Sequence, residues 1–385
     1  METFLGYERP DGSAGIRNYV AVIPSVACAN GVVSAIARAV PEAVPLCHGH
    51  GCGRGVEAPL HAKVLANLGK HPNVAAVLVV GLGCEVIKAE KLAAAIGLSQ
   101  KPVTYFDIQA VGGTRKATVQ GIEIVRRLLA DAARLERRPL PVDRLVMGLQ
   151  CGGSDAFSGV TANPSVGLAS DWLVDQGGTV ILTEATEMIG TSHILERRAC
   201  NPEVAGQIAK MVSEAEQLTH DLLGPFAAYV ISPGNMDGGM TSIREKSLGC
   251  IVKAGSRPIN EVIGYGEKPT RKGVVLMDGP GYDMESMTGV AAAGSQFMVF
   301  TTGRGNPVGY PIVPVIKVAS TSRMYEQMAD DMDLDAGVIL SGTPMREVGQ
   351  RIIDAVRRAV AGEPTKAELN HQEGIVCLYT LHPAF

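Results

Sequence analysis

Three cysteines of this 385-residue chain lie beside glycines, in settings that suit metal ligands. Cys52 lies in His-Gly-Cys-Gly, Cys84 in Gly-Leu-Gly-Cys-Glu and Cys151 in Gln-Cys-Gly-Gly-Ser-Asp. Thiolates favour soft metals such as iron and zinc, and glycines let the backbone approach a bound ion closely. Three thiolates could hold an iron–sulfur cluster or a single iron ion. Their wide spacing matches no compact zinc module, so small buried cysteines in tight turns are the alternative interpretation.

Two histidines and a fourth cysteine extend this set. His48 and His50, in Cys-His-Gly-His-Gly-Cys-Gly, are candidates for metal ligation or for proton transfer. Cys28, in Ala-Cys-Ala-Asn, is a candidate further ligand or a supporting thiol.

Polar loops could bind a hydroxylated acid. The loop 151–164 is dense in small polar residues, and its candidate substrate-binding residues are Ser154, Asp155, Ser158, Thr161 and Asn163. A helix cap followed by a turn would explain the same residues.

Charged residues outside that loop are further candidates. Asn235 lies in a second polar loop, and Lys246, which follows it, is a candidate base or charge partner. Arg304, between two glycines, and Arg17 could each bind a carboxylate as a planar fork. Taken singly, each of these charges is more often simply a surface charge.

The elements that must position these residues alternate along the chain. Apolar, β-rich runs predict strands at 18–27, 74–80, 144–149, 179–183, 273–277, 297–301 and 312–318. Apolar residues at helical spacing predict helices at about 30–40, 86–96, 114–137, 203–223 and 344–361. This alternation predicts an α/β fold with two Rossmann-like domains and mainly parallel sheets.

The strand order also predicts where the site lies and where the chain divides. Ligands bind beyond the carboxyl ends of parallel strands, where the cysteine loops begin. The proline-rich stretch 136–141 predicts a boundary between an N-terminal domain, 1–138, and a C-terminal domain, 143–385.

Composition limits the class of protein. The net charge is only −4, so nucleic acid and membrane surfaces are poor partners. The first residues carry no secretory signal pattern and no apolar run is long enough to span a bilayer, so we expect a cytoplasmic protein. In such a compartment the eight cysteines are expected to be thiols or metal ligands, not disulfides.

Ten segments, in order along nearly the whole chain, together resemble a known family. They are Arg9-Pro-Asp-Gly, Gly15-Ile-Arg-Asn-Tyr, Ile23-Pro-Ser-Val-Ala-Cys-Ala-Asn, Gly51-Cys-Gly, Val79-Val-Gly-Leu-Gly-Cys-Glu, the loop 151–164, Pro233-Gly-Asn, Glu245-Lys-Ser-Leu-Gly, Met277-Asp-Gly-Pro-Gly-Tyr and Phe300-Thr-Thr-Gly-Arg-Gly. In these segments the sequence resembles the altronate/galactarate dehydratase family, which also contains the large subunit of sulfolactate sulfo-lyase.

The resemblance implies an iron-dependent hydro-lyase that dehydrates an aldonic or aldaric acid to a 2-keto-3-deoxy acid. It implies that Cys52, Cys84 and Cys151 hold the iron, as Fe²⁺ or as a cluster. Longer members carry a small β-rich domain ahead of the Arg9 segment, so we expect a separate small β-rich (SAF-like) subunit and an oligomeric assembly.

In this hypothesis Arg304 and the 154–163 loop orient the acid, while His48 or His50 moves a proton. Release of sulfite and pyruvate from (R)-sulfolactate is the first alternative, and a non-catalytic metal- or thiol-binding subunit is the second. A redox enzyme is a weaker alternative because no nucleotide-binding fingerprint is present.

Overall fold

The computed structural model describes residues 2–382 and contains three sheets. The strands are β1 (Thr3–Glu8), β2 (Ala14–Gly15), β3 (Tyr19–Pro24), β4 (Ala43–Pro45), β5 (Val74–Gly81), β6 (Val103–Asp107), β7 (Arg138–Pro141), β8 (Val146–Cys151), β9 (Thr179–Leu182), β10 (Ile259–Ile263), β11 (Gly273–Met277), β12 (Phe297–Thr302), β13 (Val315–Ala319) and β14 (Leu334–Asp335).

Helices connect most of these strands. The α-helices are α1 (Asn30–Ala39), α2 (Ala58–Gly69), α3 (Ala89–Gly97), α4 (Ile108–Val111), α5 (Thr114–Ala132), α6 (Ala162–Asp175), α7 (Ser192–Glu196), α8 (Pro202–Leu223), α9 (Pro233–Asp237), α10 (Ile243–Ile251), α11 (Asp283–Ala292), α12 (Ser322–Gln327), α13 (Met345–Ala361) and α14 (Lys366–Leu369).

Two parallel sheets dominate the fold. The N-terminal sheet has the order β4-β3-β5-β6, and the C-terminal sheet has the order β10-β11-β9-β8-β12-β13-β14. Strands such as β5 are apolar and buried along their whole length because helices cover both faces of a parallel sheet. The predicted mixed α/β fold with mainly parallel sheets is therefore confirmed, whereas the Rossmann-like label for each half remains a prediction.

The third sheet lies at the predicted boundary between the two halves. Its order is β2-β1-β7, with Thr3–Gly6 of β1 paired antiparallel to Arg138–Pro141 of β7. Helix α5 ends at Ala132, before this strand, so the prediction that it continues to about residue 137 was wrong. The proline-rich segment is an edge strand, a place where proline is tolerated.

One hydrophobic core joins the two large sheets. It contains Ile23 and Val77 from the N-terminal sheet, and Met277 and Phe300 from the C-terminal sheet. This shared core fixes one sheet against the other. No helix within residues 2–382 has the length and apolar character needed to cross a membrane.

Candidate active site

A cavity of about 480 Å³ lies at the carboxyl end of the seven-stranded sheet. Gly152 and Gly153, which follow β8, line it together with Glu187, which follows β9. Asp283, the first residue of α11, and Lys246 of α10 form other parts of its wall. The cavity therefore lies where ligands bind in parallel α/β sheets.

Four buried side chains converge beside this cavity. One ligand atom from each of Cys151, Glu184, Glu187 and Cys250 lies within 4.8 Å of the others. Cys151 Sγ lies 2.9 Å from Glu187 Oε2, 3.7 Å from Glu184 Oε2 and 4.0 Å from Cys250 Sγ. We refer to these four residues as the four-donor group.

The backbone at Glu184 is strained to bring its carboxylate into the group. Its φ is +70°, in a region that residues other than glycine rarely adopt. Gln150 Nε2 donates to Glu184 Oε1 at 2.7 Å, and the Cys151 N–H donates to Oε2 at 3.3 Å. These bonds to β8 hold the strained residue in place.

Two lysines pair with the carboxylates of the group. Lys246 Nζ lies 2.5 Å from Glu187 Oε1, and Lys253 Nζ lies 3.4 Å from Glu184 Oε2. Both members of the Lys253–Glu184 pair are fully buried, at 0% exposure. The site is thus a compact arrangement of acids, thiols and amines shielded from water.

Their environments push the two glutamate pKa values apart. Burial, with the nearby Cys151 and Glu187, raises the pKa of Glu184 well above its usual range. Burial acts the same way on Glu187, but Lys246 and Lys253 outweigh it and lower that pKa. Contact with Cys250 and burial raise the pKa of the Cys151 thiol. Two carboxyl groups with opposite shifts suit different roles in proton transfer.

Asp283 belongs to a second network on the cavity wall. Its carboxylate accepts hydrogen bonds from Gln150 Nε2 at 3.1 Å and Asn306 Nδ2 at 2.9 Å. Ser286 in turn donates to Gln150 Oε1 at 2.7 Å, which fixes that amide between Glu184 and Asp283. Burial, and then the charge of Glu187, raise the pKa of Asp283 to about 6.

The four-donor group has the chemistry of a metal site. Two thiols and two carboxylates suit a divalent ion of intermediate softness, such as iron or zinc. Their raised pKa values mean that Glu184 and Cys151 keep their protons. A cation bound among these closely spaced acids can replace those protons.

Besides Cys151, the predicted residues Asn235 and Lys246 line the cavity. Asn235 Nδ2 donates to the Ser154 carbonyl at 2.8 Å, and its Oδ1 lies 3.4 Å from Lys246 Nζ. Lys246 is protonated because the charge of Glu187 outweighs burial, which alone would lower its pKa. It is therefore a better proton donor or carboxylate partner than a base.

The side chains of the predicted polar loop bond to one another and to neighbouring segments of the C-terminal half. Asp155 accepts from Ser158 Oγ and from Ser320 Oγ, both at 2.8 Å. Thr161 Oγ1 donates to the Ser320 carbonyl and Asn163 Nδ2 to the Gly249 carbonyl. These bonds support the turn of the alternative interpretation but not its cap, because no side chain within residues 2–382 caps the start of α6 at Thr161. Ser154 Oγ is buried without a hydrogen-bond partner among the described residues.

The two predicted arginines lie in different surroundings. Arg17 forms a 2.9 Å ion pair with Glu368 and also donates to the Ala359 carbonyl, so its guanidinium ties the N-terminal half to the C-terminal half. This engagement, away from the cavity lining, opposes the predicted role in substrate binding. Arg304 is exposed, and its backbone N–H bonds Gly153 O at 2.7 Å beside the cavity.

The predicted histidines lie in the N-terminal half. His48 is buried, with Nε2 2.8 Å from the Pro24 carbonyl and Nδ1 accepting the His50 N–H at 3.1 Å. Burial lowers the pKa of His48 to about 4, so it is a neutral residue that shapes its loop. Burial and His61 lower the pKa of His50 to about 4 as well.

Three predicted thiols, Cys28, Cys52 and Cys84, are exposed, whereas Cys151 is buried. Among residues 2–382 neither Cys52 nor Cys84 shares a ligand group with Cys151, whose partners are Glu184, Glu187 and Cys250. The three glycine-flanked thiols therefore do not form one group of sulfurs within 4.8 Å of each other, and their shared iron centre stays a prediction.

Two family models match the sequence of this chain, one in each half. "D-galactarate dehydratase/Altronate hydrolase, second domain" matches residues 6–133, and "D-galactarate/Altronate dehydratase, C-terminal" matches residues 142–382. The chain belongs to the D-galactarate/altronate dehydratase family.

Curated relatives of this family member include two altronate dehydratases. That of Bacillus subtilis is 38% identical over 88% of this chain and 69% of the relative, and that of Escherichia coli is 33% identical over 94% and 75%. The (2R)-sulfolactate sulfo-lyase subunit beta of Chromohalobacter salexigens is 34% identical over 97% of both chains. A solved structure of E. coli ADP-heptose LPS heptosyltransferase II covers 89% of the chain at 12% identity with a TM-score of 0.19, too low to indicate a shared fold.

Sequence reasoning identified only Cys151 of the family member's four-donor group and missed the other three donors. Glu184 and Glu187 lie three residues apart directly after β9, a signal that could have marked them. Cys250 lies inside α10, in a helical context that is typical of a packing residue. Lys253, Gln150 and Asp283 show no local pattern, and only the fold identifies them.

Proposed function

We propose that this chain is a hydro-lyase that removes water from a sugar-derived hydroxy acid at the cavity beside the four-donor group. The observation that carries the proposal is that Lys246 and Asp283 line one cavity with Cys151 and Glu187. A protonated amine, a carboxyl group with a pKa of about 6 and a group able to bind a metal are the parts that dehydration needs. The dehydratase names of the relatives support the same reaction.

Two side chains of the cavity wall carry out the two proton transfers of the reaction. Asp283, as a carboxylate, accepts the proton from the carbon next to the substrate's carboxylate. Lys246 donates a proton to the departing hydroxyl, which leaves as water. The enol that remains loses its hydroxyl proton, takes up a proton at the neighbouring carbon and becomes a 2-keto-3-deoxy acid. Asn235, fixed by its bond to Ser154, orients Lys246 towards the cavity.

We further propose that divalent iron binds to Cys151, Glu184, Glu187 and Cys250. When bound, the ion would act as a Lewis acid on oxygens of the hydroxy acid and ease departure of the hydroxyl. The thiol and carboxylate donors and their burial support this proposal.

Sulfolactate is the second candidate substrate. The sulfo-lyase subunit matches over 97% of this chain, and its 34% identity is close to the 33–38% of the dehydratases. Identity therefore does not separate the two chemistries. That relative is a subunit beta, which also supports a proposal that this chain works in a multi-subunit assembly.

The test is a product assay on the purified protein with Fe²⁺, using D-altronate, galactarate and (R)-sulfolactate. We expect a 2-keto-3-deoxy acid from one of the first two, and loss of that product in Asp283→Asn and Lys246→Met. Sulfite and pyruvate from sulfolactate alone would favour the second candidate. Metal binding without turnover of any of these acids, by the chain purified together with its small subunit, would indicate a non-catalytic subunit. Full activity of both variants would contradict the roles given to the two residues.

A further inference from the structure

Lys317 is a buried amine that the proposed reaction does not use. It lies in the middle of β13 with 0% of its surface exposed. Its Nζ has no hydrogen-bond partner among the described residues, and it lies 3.4 Å from the centre of the Phe300 ring. A ring face attracts a cation, but burial of an ammonium group without a hydrogen-bonding partner is costly. A methionine would fill the same space without that cost, so the lysine requires an explanation other than packing.

The sheet register connects Lys317 to the active site. Lys317 pairs with Phe300 on β12, and Phe300 pairs with Gln150 on β8. Directly paired residues place their side chains on the same face of a sheet, so Gln150, Phe300 and Lys317 form a row. Gln150 holds Glu184 and Asp283 through its amide.

The other end of the Phe300 ring reaches the cavity wall. A Cβ added to Gly152, which lines the cavity, would lie 2.7 Å from Phe300 Cζ and 2.3 Å from Asp283 Oδ2. Ring and carboxylate thus meet at Gly152, and one aromatic ring separates the Lys317 amine from the wall.

The charged groups around Lys317 come from two parts of the fold. Asp283 of α11 faces it from the cavity side, while Asp331 and Asp333 precede β14. Asp333 already accepts the backbone N–H groups of Lys317 and Lys366. The charges that act on Asp283 in turn are those of Glu187, Lys317 and Lys246.

We propose that Lys317 is a positioning residue of the active site, whose buried positive charge, acting from behind Phe300, offsets the charges of Asp283 and of the substrate's carboxylate. The inference rests on the proposed function, because an acidic cavity that binds an acid needs cations near its wall. Burial lowers the pKa of Lys317 to about 7, even though the three aspartates oppose that shift. The charge is therefore present below about pH 7 and is lost above it.

The first test needs no enzyme activity. Because the folded state lowers the pKa of Lys317 below that of the unfolded chain, the wild type loses stability as the pH falls from about 10 to about 7. Lys317→Met should therefore gain stability over the wild type across this window, at least tenfold in the folding equilibrium constant, and the gain should level off below pH 7. Lys63→Met, at a partly exposed ion pair, is the control and should show no such gain. A gain that does not change with pH would overturn the proposal.

The second test separates a positioning role from a structural one. At pH 7 we expect Lys317→Met to raise the KM for the acid about tenfold with a smaller change in kcat. The wild-type KM should rise above pH 7, and the variant should lack that rise. Lys317→Arg should retain the lower KM. A stabilised Lys317→Met with unchanged KM and kcat would overturn the positioning role and leave the proposed function intact.

If the wild type turns over none of the acids, the proposed function fails by itself. Calorimetric binding of galactarate to the wild type and to Lys317→Met then decides the present proposal. Weaker binding by the variant supports it, and equal binding or no binding to either protein overturns it.

Discussion

Cys151 combines a glycine-flanked position, which the sequence reveals, with a buried donor group, which only the structure reveals. Cys151→Ser removes one thiol from that group, and we expect at least a tenfold loss of iron affinity together with a loss of activity on the order of 100-fold. Iron per chain, measured by plasma mass spectrometry after dialysis, checks this result.

Cys52→Ser is the matched control, because Cys52 has the same glycine setting but is exposed. It should retain its iron. Loss of iron from Cys52→Ser and retention by Cys151→Ser would instead favour the centre of three glycine-flanked thiols that the sequence predicts.

Asp283 should determine how activity depends on pH. Burial raises its pKa to about 6, and it accepts a proton only as a carboxylate, so turnover should fall as the pH drops through about 6. Asp283→Asn should lower kcat by roughly 10²- to 10⁴-fold. Glu285→Gln, in the same first turn of α11, should keep both the rate and the acid limb of the profile. A wild-type profile that is flat between pH 5 and 7 would exclude this role.

Some of the site residues could be predicted from the sequence, and others could be found only in the structure. Cys151, Asn235 and Lys246 lie in loops whose glycines and polar residues mark them. Glu184 looks like a surface acid in the sequence, and its importance comes from a strained backbone and from its bonds to Gln150. This site is formed by contacts between strands that are far apart in the chain. A local sequence pattern cannot reveal such contacts.

At the scale of elements, an ion pair fixes α14 against the N-terminal half. Arg17 and Glu368 have side-chain exposures of only 10% and 18%, and Tyr19 also donates to Glu368. Arg17→Met leaves this carboxylate nearly buried without its partner and should reduce the free energy of unfolding by about 3 kcal/mol. Urea titration measures the change.

Lys63 and Glu267 form the comparison pair, with exposures of 38% and 51%. Lys63→Met should change stability by less than about 1 kcal/mol, because water screens an exposed pair. Equal costs for the two variants would show that Arg17 contributes no more than a surface charge.

Strands were predictable where an apolar run is long. β5 and β12 are buried along their length, so their sequences are continuous apolar runs that identify them. β7 was missed because it carries two prolines and lies at an edge. α11 was missed because it is buried from Ser286 to Ala292, and a helix covered all round shows no amphipathic pattern.

The whole molecule shares a core that crosses the boundary between its two halves. Ile23 and Val77 pack in the same cluster as Met277 and Phe300, and Leu378 of the C-terminal segment joins them at 1% exposure. A family model matches each half separately, yet neither sheet buries this face without the other. The two halves should therefore unfold together.

Calorimetry of the protein stripped of metal by a chelator tests this cooperativity, since a bound ion would add its own transition. We expect a single transition whose calorimetric and van't Hoff enthalpies agree. Leu378→Ala should lower the stability of that one transition by about 2–5 kcal/mol, whereas Leu381→Ala, at a position 51% exposed, should leave it nearly unchanged. Two resolved transitions, with only one of them shifted by Leu378→Ala, would mean that each half has a core sufficient for its own stability.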